Sequence, residues 1–434
     1  MRPGVFARSA SAIAALAAAA LAGCGNLPAP APQESLIPSP VAYVTAGPLP
    51  RATATATLAP VAAPTSPPPT SAPKTFPVDT SATVGVWSDR VGRNFTGTVD
   101  LAVGPDALDL RKTNLRLVTL ATQQVYTGFA RTISETRAAN PGYLLYDKDG
   151  KVALAPGGDA AVLNIRNADV RAQIADRVAT AARGFDGVIL DGVGDELIRS
   201  NASPIFTTTK AFTDPQRRDA VDLLLRAIRA RVPDKLLIVS GYAWEDGAAF
   251  SARPTEAQDL AAIADGAYIE RFLRVPISRT NDYKSEANWK RDVDQLANLS
   301  QDNKIVLLST RFSEPISGTQ QAEWLRYVVT SYLLGKNGTR TYLQFDSGGD
   351  VTYLDDPLLN TRLGAPVEGY GKLASGLYKR EFAGGVVLVN PGEKAIKIDI
   401  AADLKATYET LSGLQVKSLE MSSRSGTILL KKSP

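Results

Sequence analysis

The chain repeats one pattern along most of its length: a short apolar run, a polar or acidic residue at its end, and then an amphipathic helical stretch. Apolar runs that do not alternate with polar residues are typical of parallel strands buried on both faces. About eight such units occur over roughly 270 residues, the size expected of a (β/α)8 TIM barrel. The predicted strands are residues 84–87, 115–120, 143–146, 188–190, 236–239, 266–269, 305–308 and 341–345, with a further extended segment at 162–165.

An open, doubly wound sheet is the competing fold for alternating strands and helices. Such a sheet normally carries a glycine-rich phosphate loop after its first strand. The residues at that point are Trp87, Ser88, Asp89 and Arg90, which do not resemble such a loop. We therefore predict an α/β chain with a TIM barrel over residues 81–366 as the catalytic domain.

From residue 367 the sequence changes character. Short runs, several with the period-2 alternation of a half-buried strand, are separated by turn signals such as Asn390-Pro391-Gly392 and Ser425-Gly426. This pattern predicts a small antiparallel β-sandwich over residues 367–434. We expect the sandwich to pack against the barrel, and a separate binding module is the alternative.

The first residues predict export and attachment to a membrane. Arg2 and Arg8 form a positively charged segment that precedes an apolar stretch at 11–21, and this stretch is too short to span a bilayer. It ends in Leu21-Ala22-Gly23-Cys24, which resembles the lipobox of bacterial lipoprotein signal peptides and implies cleavage before a lipidated Cys24. An ordinary secretory signal with an incidental cysteine is the alternative. Residues 1–23 are thus a predicted lipoprotein signal peptide, and residues 24–80, rich in Pro, Ala and Thr, are a predicted disordered tether that holds the protein outside a bacterial membrane.

The absence of histidine restricts the chemistry more than any other feature of the composition. The 434 residues include no histidine and one cysteine, which excludes a Ser-His-Asp triad, a histidine-ligated zinc site and an internal disulfide. Acid–base chemistry near neutral pH then falls mainly to Asp, Glu, Tyr or Lys. The dense acidic spacings of an oxygen-ligand metal site do not occur, so we expect neither a metal nor a cofactor. The net charge of +4 forms no basic stripe, and nucleic acid is not an expected partner.

Carboxylates follow several of the predicted strands. In a TIM barrel the carboxyl ends of all strands meet at one rim, where the active site lies. Two carboxylates at this rim can act as acid and base or as acid and nucleophile, which is what glycoside hydrolysis requires. Aromatic residues near the rim would stack on sugar rings, and a core position is the alternative for each of them. The acidic residues are Asp89, Asp147, Asp191, Glu270 and Asp346 at strand ends, with Glu196 and Glu245 in the loops that follow.

A resemblance to a known family rests on residues 163–167, 170–171 and 184–191, which read LNIRN, VR and GFDGVILD. This block resembles the glycoside-hydrolase barrels related to endo-α-1,4-polygalactosaminidase, in which a similar stretch leads through a helix to a GFDGV-x-x-D strand. Residues 376–391 also resemble the small β-domain that follows the barrel in some of these proteins. The resemblance implies a carbohydrate-active barrel with a catalytic aspartate at Asp191. This chain has Gly192 where the family often has Asn, and Leu163 where the family usually has Asp. A non-catalytic carbohydrate-binding or structural lipoprotein on the same barrel is therefore the alternative.

The positions of two carboxylates suggest their roles. Asp191 ends the fourth predicted strand and Glu270 the sixth, the strand ends at which retaining barrels similar to the α-galactosidase group place their catalytic pair. We therefore predict Asp191 as nucleophile or base and Glu270 as general acid, with Glu245 as the second candidate for the acid. For Glu270, a salt bridge to Arg271 or Arg274 is the structural alternative. The predicted ligands of the polysaccharide or oligosaccharide substrate are Trp87, Asp89, Tyr146, Asp147, Arg166, Glu196, Tyr242, Glu245, Arg311 and Asp346.

Overall fold

The structure is a computed structural model that describes residues 84–89, 99–112, 117–124, 133–146, 150–154, 161–191, 193, 214–240, 263–274, 278–316, 318–348 and 356–432. All of them belong to one compact unit, Pro68–Pro434. The predicted signal peptide, Cys24 and the tether lie outside the described residues, as do Asp147, Glu196, Tyr242 and Glu245. None of the described helices combines the length and the apolar character needed to cross a bilayer.

Eight parallel strands form one sheet in which each strand pairs with the next along the chain. The first and last strands meet through a parallel bridge between Val86 and Leu343, where Leu343 N donates to the carbonyl of Gly85 at 2.8 Å. This arrangement is the predicted (β/α)8 barrel. Its strands are β1 Trp87–Ser88, β2 Leu101–Val103, β3 Val118–Gln124, β4 Gly187–Asp191, β5 Leu236–Val239, β6 Gly266–Ile269, β7 Ile305–Arg311 and β8 Thr341–Asp346. The described helices around it are α1 Ala107–Arg111, α2 Ile133–Ala139, α3 Ala168–Ala181, α4 Asp214–Arg231, α5 Glu286–Gln301 and α6 Gly318–Gly335.

The strands are apolar on both faces because the barrel has two cores. Between the strands and the helices, outward residues such as Val188 and Leu190 join the large hydrophobic cluster of the helices. Within the barrel, the alternate residues meet one another, and the Trp87 ring of β1 packs edge-on against Tyr268 of β6 with centroids 5.1 Å apart. The inner cluster consists of Trp87, Leu101, Val103, Leu120, Ile189, Ile238, Ile305 and Leu307.

The segment that leads into β4 shows how the sequence specifies these elements. Asn167 caps α3, and its side chain accepts from the backbone amide of Val170 at 3.4 Å. Val170, Ile174 and Val178 recur at helical spacing and are fully buried, as the periodicity predicts. Gly184 then adopts a φ of 80°, which most side chains disfavour, and the chain turns directly into β4.

One of the predicted barrel strands is wrong, and one strand of the barrel was not predicted. The short strand β2 at Leu101–Val103 was not among those predicted, and it pairs in parallel with β1 and β3. The predicted third strand at 143–146 lies outside the barrel sheet: Leu144 forms an antiparallel bridge with Leu163, and Tyr146 forms one with Val152. The predicted segment at 162–165 pairs with residues 143–146 in this short antiparallel segment between β3 and α3. The two errors compensate, so β4 remains the fourth strand and β6 the sixth.

The carboxy-terminal residues form two antiparallel sheets around their own apolar cluster, which confirms the predicted sandwich. The elements are β9 Gly371–Lys372, β10 Tyr378–Phe382, β11 Gly385–Asn390, β12 Ile396–Asp399, α7 Ile400–Leu404, β13 Tyr408–Glu409, β14 Gln415–Val416, β15 Ser418–Met421 and β16 Ser425–Lys431. The strand order in the larger sheet is β14-β13-β16-β11-β10-β9, and the smaller sheet pairs β12 with β15. Tyr408, Leu388 and Ile398 are among the buried residues between the two sheets.

The outer face of the larger sheet packs on the barrel helix α6. Val387 and Ile428 of this face belong to the same hydrophobic cluster as the barrel helices. The backbone comes so close that a Cβ atom on Gly426 would stand 1.9 Å from Thr330 Oγ1 of α6. Polar contacts add to the packing: the hydroxyl of Tyr378 donates to Glu286 Oε1 of α5 at 2.9 Å. The sandwich therefore packs against the barrel, as expected.

Candidate active site

The inner face of the barrel changes from apolar to polar toward the carboxyl ends of the strands. Because side chains alternate along a strand, the residue two positions after an inward apolar residue also points inward. Continuing this alternation from the inner cluster leads to polar side chains on six strands. They are Asp89 after β1, Asp191 on β4, Ser240 after β5, Glu270 after β6, Ser309 and Arg311 on β7, and Gln344 and Asp346 on β8. We call this set the polar rim.

Asp191 is the last residue of β4 and is half-buried. The hydroxyl of Ser240, which follows the neighbouring strand β5, donates to Asp191 Oδ1 at 3.0 Å. This hydrogen bond orients the carboxylate and leaves its second oxygen for other contacts. Asp186, before the same strand, accepts from the backbone amide of Thr119 at 2.9 Å and pairs with Arg111 at 3.0 Å. Its role is therefore structural.

Glu270 follows β6 directly and is half-buried. Burial raises the pKa of the Tyr268 hydroxyl below it; the charge of Arg311 opposes this effect, and the charges of Glu270 and Asp89 add to it. The charges of these three side chains therefore all act on the Tyr268 hydroxyl. Continuing the strand register places Asp191 opposite Ser240 and Ser240 opposite Tyr268, so Glu270 lies two strands across the sheet and two residues further along it. At about 4.8 Å per strand and about 3.3 Å per residue, the Cα atoms of Asp191 and Glu270 are about 12 Å apart. Their side chains point toward the same axis.

Of the two arginines named as alternative partners of Glu270, Arg274 is not its partner. Arg274 is 2% exposed, and its guanidinium donates instead to the carbonyls of Arg279 at 2.9 Å and Thr280 at 3.3 Å and to the carbonyl of Ser278. The cation is thus used to order the segment that follows β6. Arg274 does not hold the Glu270 carboxylate.

Asp89 is held by a network that joins β1, β7 and β8. Arg311 forms an ion pair with Asp89 Oδ2, and Gln344 Nε2 donates to Asp89 Oδ1 at 2.7 Å. Arg311 also donates to Ser309 Oγ at 2.8 Å and to Gln344 Oε1 at 2.7 Å. Burial alone would raise the pKa of Asp89, but the charge of Arg311 and the hydrogen bonds from Arg311 and Gln344 outweigh it and lower the pKa below its usual value. Asp89 is therefore an anion at neutral pH.

This lowered pKa predicts an acid-dependent contribution to stability. Because the pKa of Asp89 is lower in the folded than in the unfolded chain, the ion pair stabilises the fold fully above the unfolded value of about 4. That contribution is lost as the pH falls further, through the folded pKa. The difference in unfolding free energy between wild type and Asp89→Asn should therefore shrink from pH 7 to pH 3 in urea denaturation. Asp222→Asn, which removes an exposed partner of Arg226 on α4, serves as the control. A difference that stays constant over this range would contradict the assignment.

The other predicted ligands occupy different surroundings. Trp87 is 1% exposed, and its indole nitrogen donates to the carbonyl of Leu308 at 2.8 Å, so it is a core residue and not a platform at the rim. Asp346, predicted to bind the substrate, is 3% exposed and accepts from the amide of Gly348 at 3.0 Å, which gives it a role in the turn after β8. Tyr146 lies in the short antiparallel segment after β3 and not on a barrel strand. Arg166 is exposed just before α3, at the end of the barrel where β3 ends.

Sequence reasoning missed the neutral members of the polar rim. Ser240, Ser309 and Gln344 were not proposed as site residues, although each contacts a predicted site residue directly: Asp191, Arg311 and Asp89, respectively. A signal for them exists in the sequence. Each lies two residues after an inward apolar or aromatic residue: Ile238, Leu307 and Tyr342, respectively.

Comparison with solved structures gives distant likenesses. The Anoxybacillus alpha-amylase matches with 11% identity over 76% of this chain and 80% of its own, at a TM-score of 0.46. The glycoside hydrolase domain of PelA from Pseudomonas aeruginosa matches with 12% identity over 60% of this chain and 99% of its own, at a TM-score of 0.39. Aspergillus fumigatus Ega3, in complex with galactosamine, matches with 13% identity over 62% of this chain and 93% of its own, at a TM-score of 0.38. No curated protein matches the chain.

The assignment to a family rests on a match to a family model. The model described as "Hypothetical glycosyl hydrolase family 15" matches residues 123–386, which is more than half of the chain. The matched range begins in β3 and ends in β11, so it includes Asp191, Glu270, Arg311 and Gln344 but not Asp89. The chain therefore belongs to hypothetical glycosyl hydrolase family 15, which confirms the prediction that it is a glycoside hydrolase.

Proposed function

We propose that this glycoside hydrolase cleaves a bond within a polysaccharide by a mechanism that uses two carboxylates. The observation that supports it best is the polar rim, in which Asp191 of β4 and Glu270 after β6 extend past the apolar inner cluster toward one axis. The chain has no histidine to supply an alternative acid or base. Two carboxylates that face each other across a glycosidic bond are sufficient for hydrolysis without a cofactor.

Each member of the rim has a distinct part in this proposal. Glu270 donates a proton to the oxygen of the leaving sugar, and Asp191, oriented by Ser240, attacks the anomeric carbon or activates a water molecule. If Asp191 attacks, Glu270 then removes a proton from the water molecule that hydrolyses the bond between the sugar and Asp191. If Asp191 instead activates water, a single displacement completes the reaction. Asp89, fixed as an anion by Arg311 and Gln344, accepts hydrogen bonds from sugar hydroxyls.

The function is tested by measuring new reducing ends from a panel of polysaccharides: starch, chitosan, pectin, a β-glucan and a galactosamine-containing polymer. The proposal expects release of oligosaccharides from at least one polymer, and loss of this release in Asp191→Asn. Retention of a polymer on the immobilised protein without any cleavage would instead support the alternative, a carbohydrate-binding lipoprotein on the same barrel.

We also propose that the protein is anchored outside the cytoplasm by lipid on Cys24. The motif Leu21-Ala22-Gly23-Cys24 after an apolar stretch supports this, and Cys24 is the only cysteine of the chain. In a bacterial host, the wild-type protein should incorporate radiolabelled palmitate and fractionate with membranes. Cys24→Ala should lose both properties while the polysaccharide activity of the released protein remains. Equal labelling of both proteins would contradict the anchor.

A further inference from the structure

A polar cleft of about 600 Å³ opens beside the polar rim. One wall follows β6, beginning four residues after Glu270, and the other follows β7, beginning two residues after Arg311. The first turn of α6 completes it. The lining residues are Arg274, Ser278, Arg279, Thr280, Asn281, Asp282, Ser313, Glu314 and Gln320. Its volume is in the range of clefts that bind small ligands.

The chemistry of this cleft suits a sugar ring better than an ion. Every lining residue is polar, and both signs of charge are present. Within the part of the chain that the structure describes, the guanidinium of Arg279 and the carboxylate of Glu314 are exposed and have no side-chain partner. Gln320 Nε2 donates to Asn281 Oδ1 at 3.1 Å, which leaves the amide nitrogen of Asn281 and the amide oxygen of Gln320 for a ligand. Sugar hydroxyls both donate and accept, so they can use this mixture of groups.

The wall after β6 is held rigidly from within. The buried guanidinium of Arg274 stacks on the Phe312 ring at 4.1 Å while it binds the carbonyls of residues 278–280. Lys284 forms an ion pair with the buried Asp292 of α5 at 2.8 Å and also donates to the carbonyl of Arg271. A loop fixed in this way loses little conformational entropy when a ligand binds, which favours affinity.

The position of the cleft relates it to the leaving group. The general acid of a glycosidase protonates the oxygen of the leaving sugar, so the ring that leaves lies on the side of the acid. The cleft adjoins the segment of Glu270 and lies away from β4, which carries Asp191. We propose that this cleft binds the sugar on the leaving-group side of the scissile bond, through its hydroxyl groups, so that the enzyme prefers longer chains to single glycosides. The proposal rests on the proposed function with Glu270 as the acid.

The test compares substrates of different length. The probes are oligosaccharides of two to six sugars, prepared from whichever polymer of the panel is cleaved, and the nitrophenyl glycoside of its single sugar. For wild type, kcat/KM should rise as sugars are added. In Glu314→Ala/Gln320→Ala, the ratio of kcat/KM on the hexasaccharide to that on the nitrophenyl glycoside should fall on the order of tenfold, the effect of lost hydrogen bonds to a sugar. The matched control is Glu420→Ala/Gln415→Ala, two exposed residues on β15 and β14, which should keep the wild-type ratio.

The outcomes separate this inference from the function on which it rests. An unchanged ratio in the cleft variant, with wild-type activity present, would overturn the cleft while leaving the hydrolase intact. If no polymer is cleaved, calorimetric titration with chitohexaose and maltohexaose replaces the kinetics. Binding that the cleft variant weakens would then support a sugar site without hydrolysis, and no binding of either probe would overturn the inference.

Discussion

Asp191→Asn and Glu270→Gln should each lower turnover of the polysaccharide by about 1,000-fold or more while the protein remains folded. Each replacement keeps the size of the side chain and removes its charge or its proton. An amide at 191 can neither attack the anomeric carbon nor activate water, and an amide at 270 cannot protonate the leaving oxygen. Initial rates of product release, measured together with circular dichroism of each variant, test this expectation.

The two roles can be separated by the choice of leaving group. The dinitrophenolate group of a dinitrophenyl glycoside leaves without protonation. On that substrate, Glu270→Gln should therefore regain most of the lost rate of the bond-cleaving step, whereas Asp191→Asn should not. If Asp191 is a nucleophile, azide should rescue Asp191→Ala and give a glycosyl azide of inverted configuration. Asp219→Asn on α4 and Glu323→Gln on α6, both exposed, are matched controls. Full activity in either active-site variant would remove that residue from the mechanism.

Arg380→Ala should lower the free energy of unfolding by about 3 kcal/mol or more, because it leaves buried carbonyls without a donor. Arg380 lies on β10 and is 3% exposed, and burial lowers the pKa of its guanidinium to about 10. It stays charged because it donates to the carbonyls of Leu334 at 2.8 Å and Lys336 at 2.6 Å and to Asn337 Oδ1 at 2.7 Å. These acceptors lie at the carboxyl end of α6, so Arg380 joins the sandwich to the helix that leads into β8.

The comparison for Arg380 is the adjacent residue on the same strand. Among the residues that the structure describes, the ion pairs of Lys379 are long, at 3.5 Å with Glu368 and 3.9 Å with Glu381, so Lys379→Ala should lower the free energy of unfolding by less than about 1 kcal/mol. Arg380→Lys should fall between the two, since it keeps the charge but not the planar array of donors. Urea denaturation measures all three. An equal loss for Lys379→Ala and Arg380→Ala would show that the contacts to α6 carry no special weight.

The alternation of apolar runs and helices was sufficient to predict the barrel, but it could not identify every strand. Leu101–Val103 is only three residues long and contains an alanine, whereas residues 143–146 are more apolar and precede an aspartate. Hydrophobicity reports burial, and both Leu101–Val103 and the two leucines Leu144 and Leu145 are buried. What makes the first a barrel strand is its hydrogen bonding to β1 and β3, and this depends on partners that are distant in sequence.

The charged members of the site were easier to predict than its neutral ones. Asp191, Glu270 and Arg311 stand out at strand ends because charged side chains are rarely buried without a reason. Ser240 and Gln344 have no such signal on their own, since serine and glutamine are common on any surface. The error on Trp87 has a related origin. A tryptophan at the rim and one in the layer beneath it are only two residues apart along a strand, and the sequence alone does not show which of the two layers a tryptophan occupies.

The covering of α6 by the sandwich has a consequence for how the chain is made on the ribosome. α6 packs against residues that are translated only later, in β11 and β16: Val387 and Ile428 share its hydrophobic cluster, and Gly426 lies directly against Thr330. Until those strands have been translated, the apolar surface of α6 that they cover is exposed to solvent. The final fold can therefore form only after translation of β16. A premature stop codon between β8 and β16 would therefore release a chain that aggregates and is readily degraded, even though every residue of the polar rim has already been synthesised.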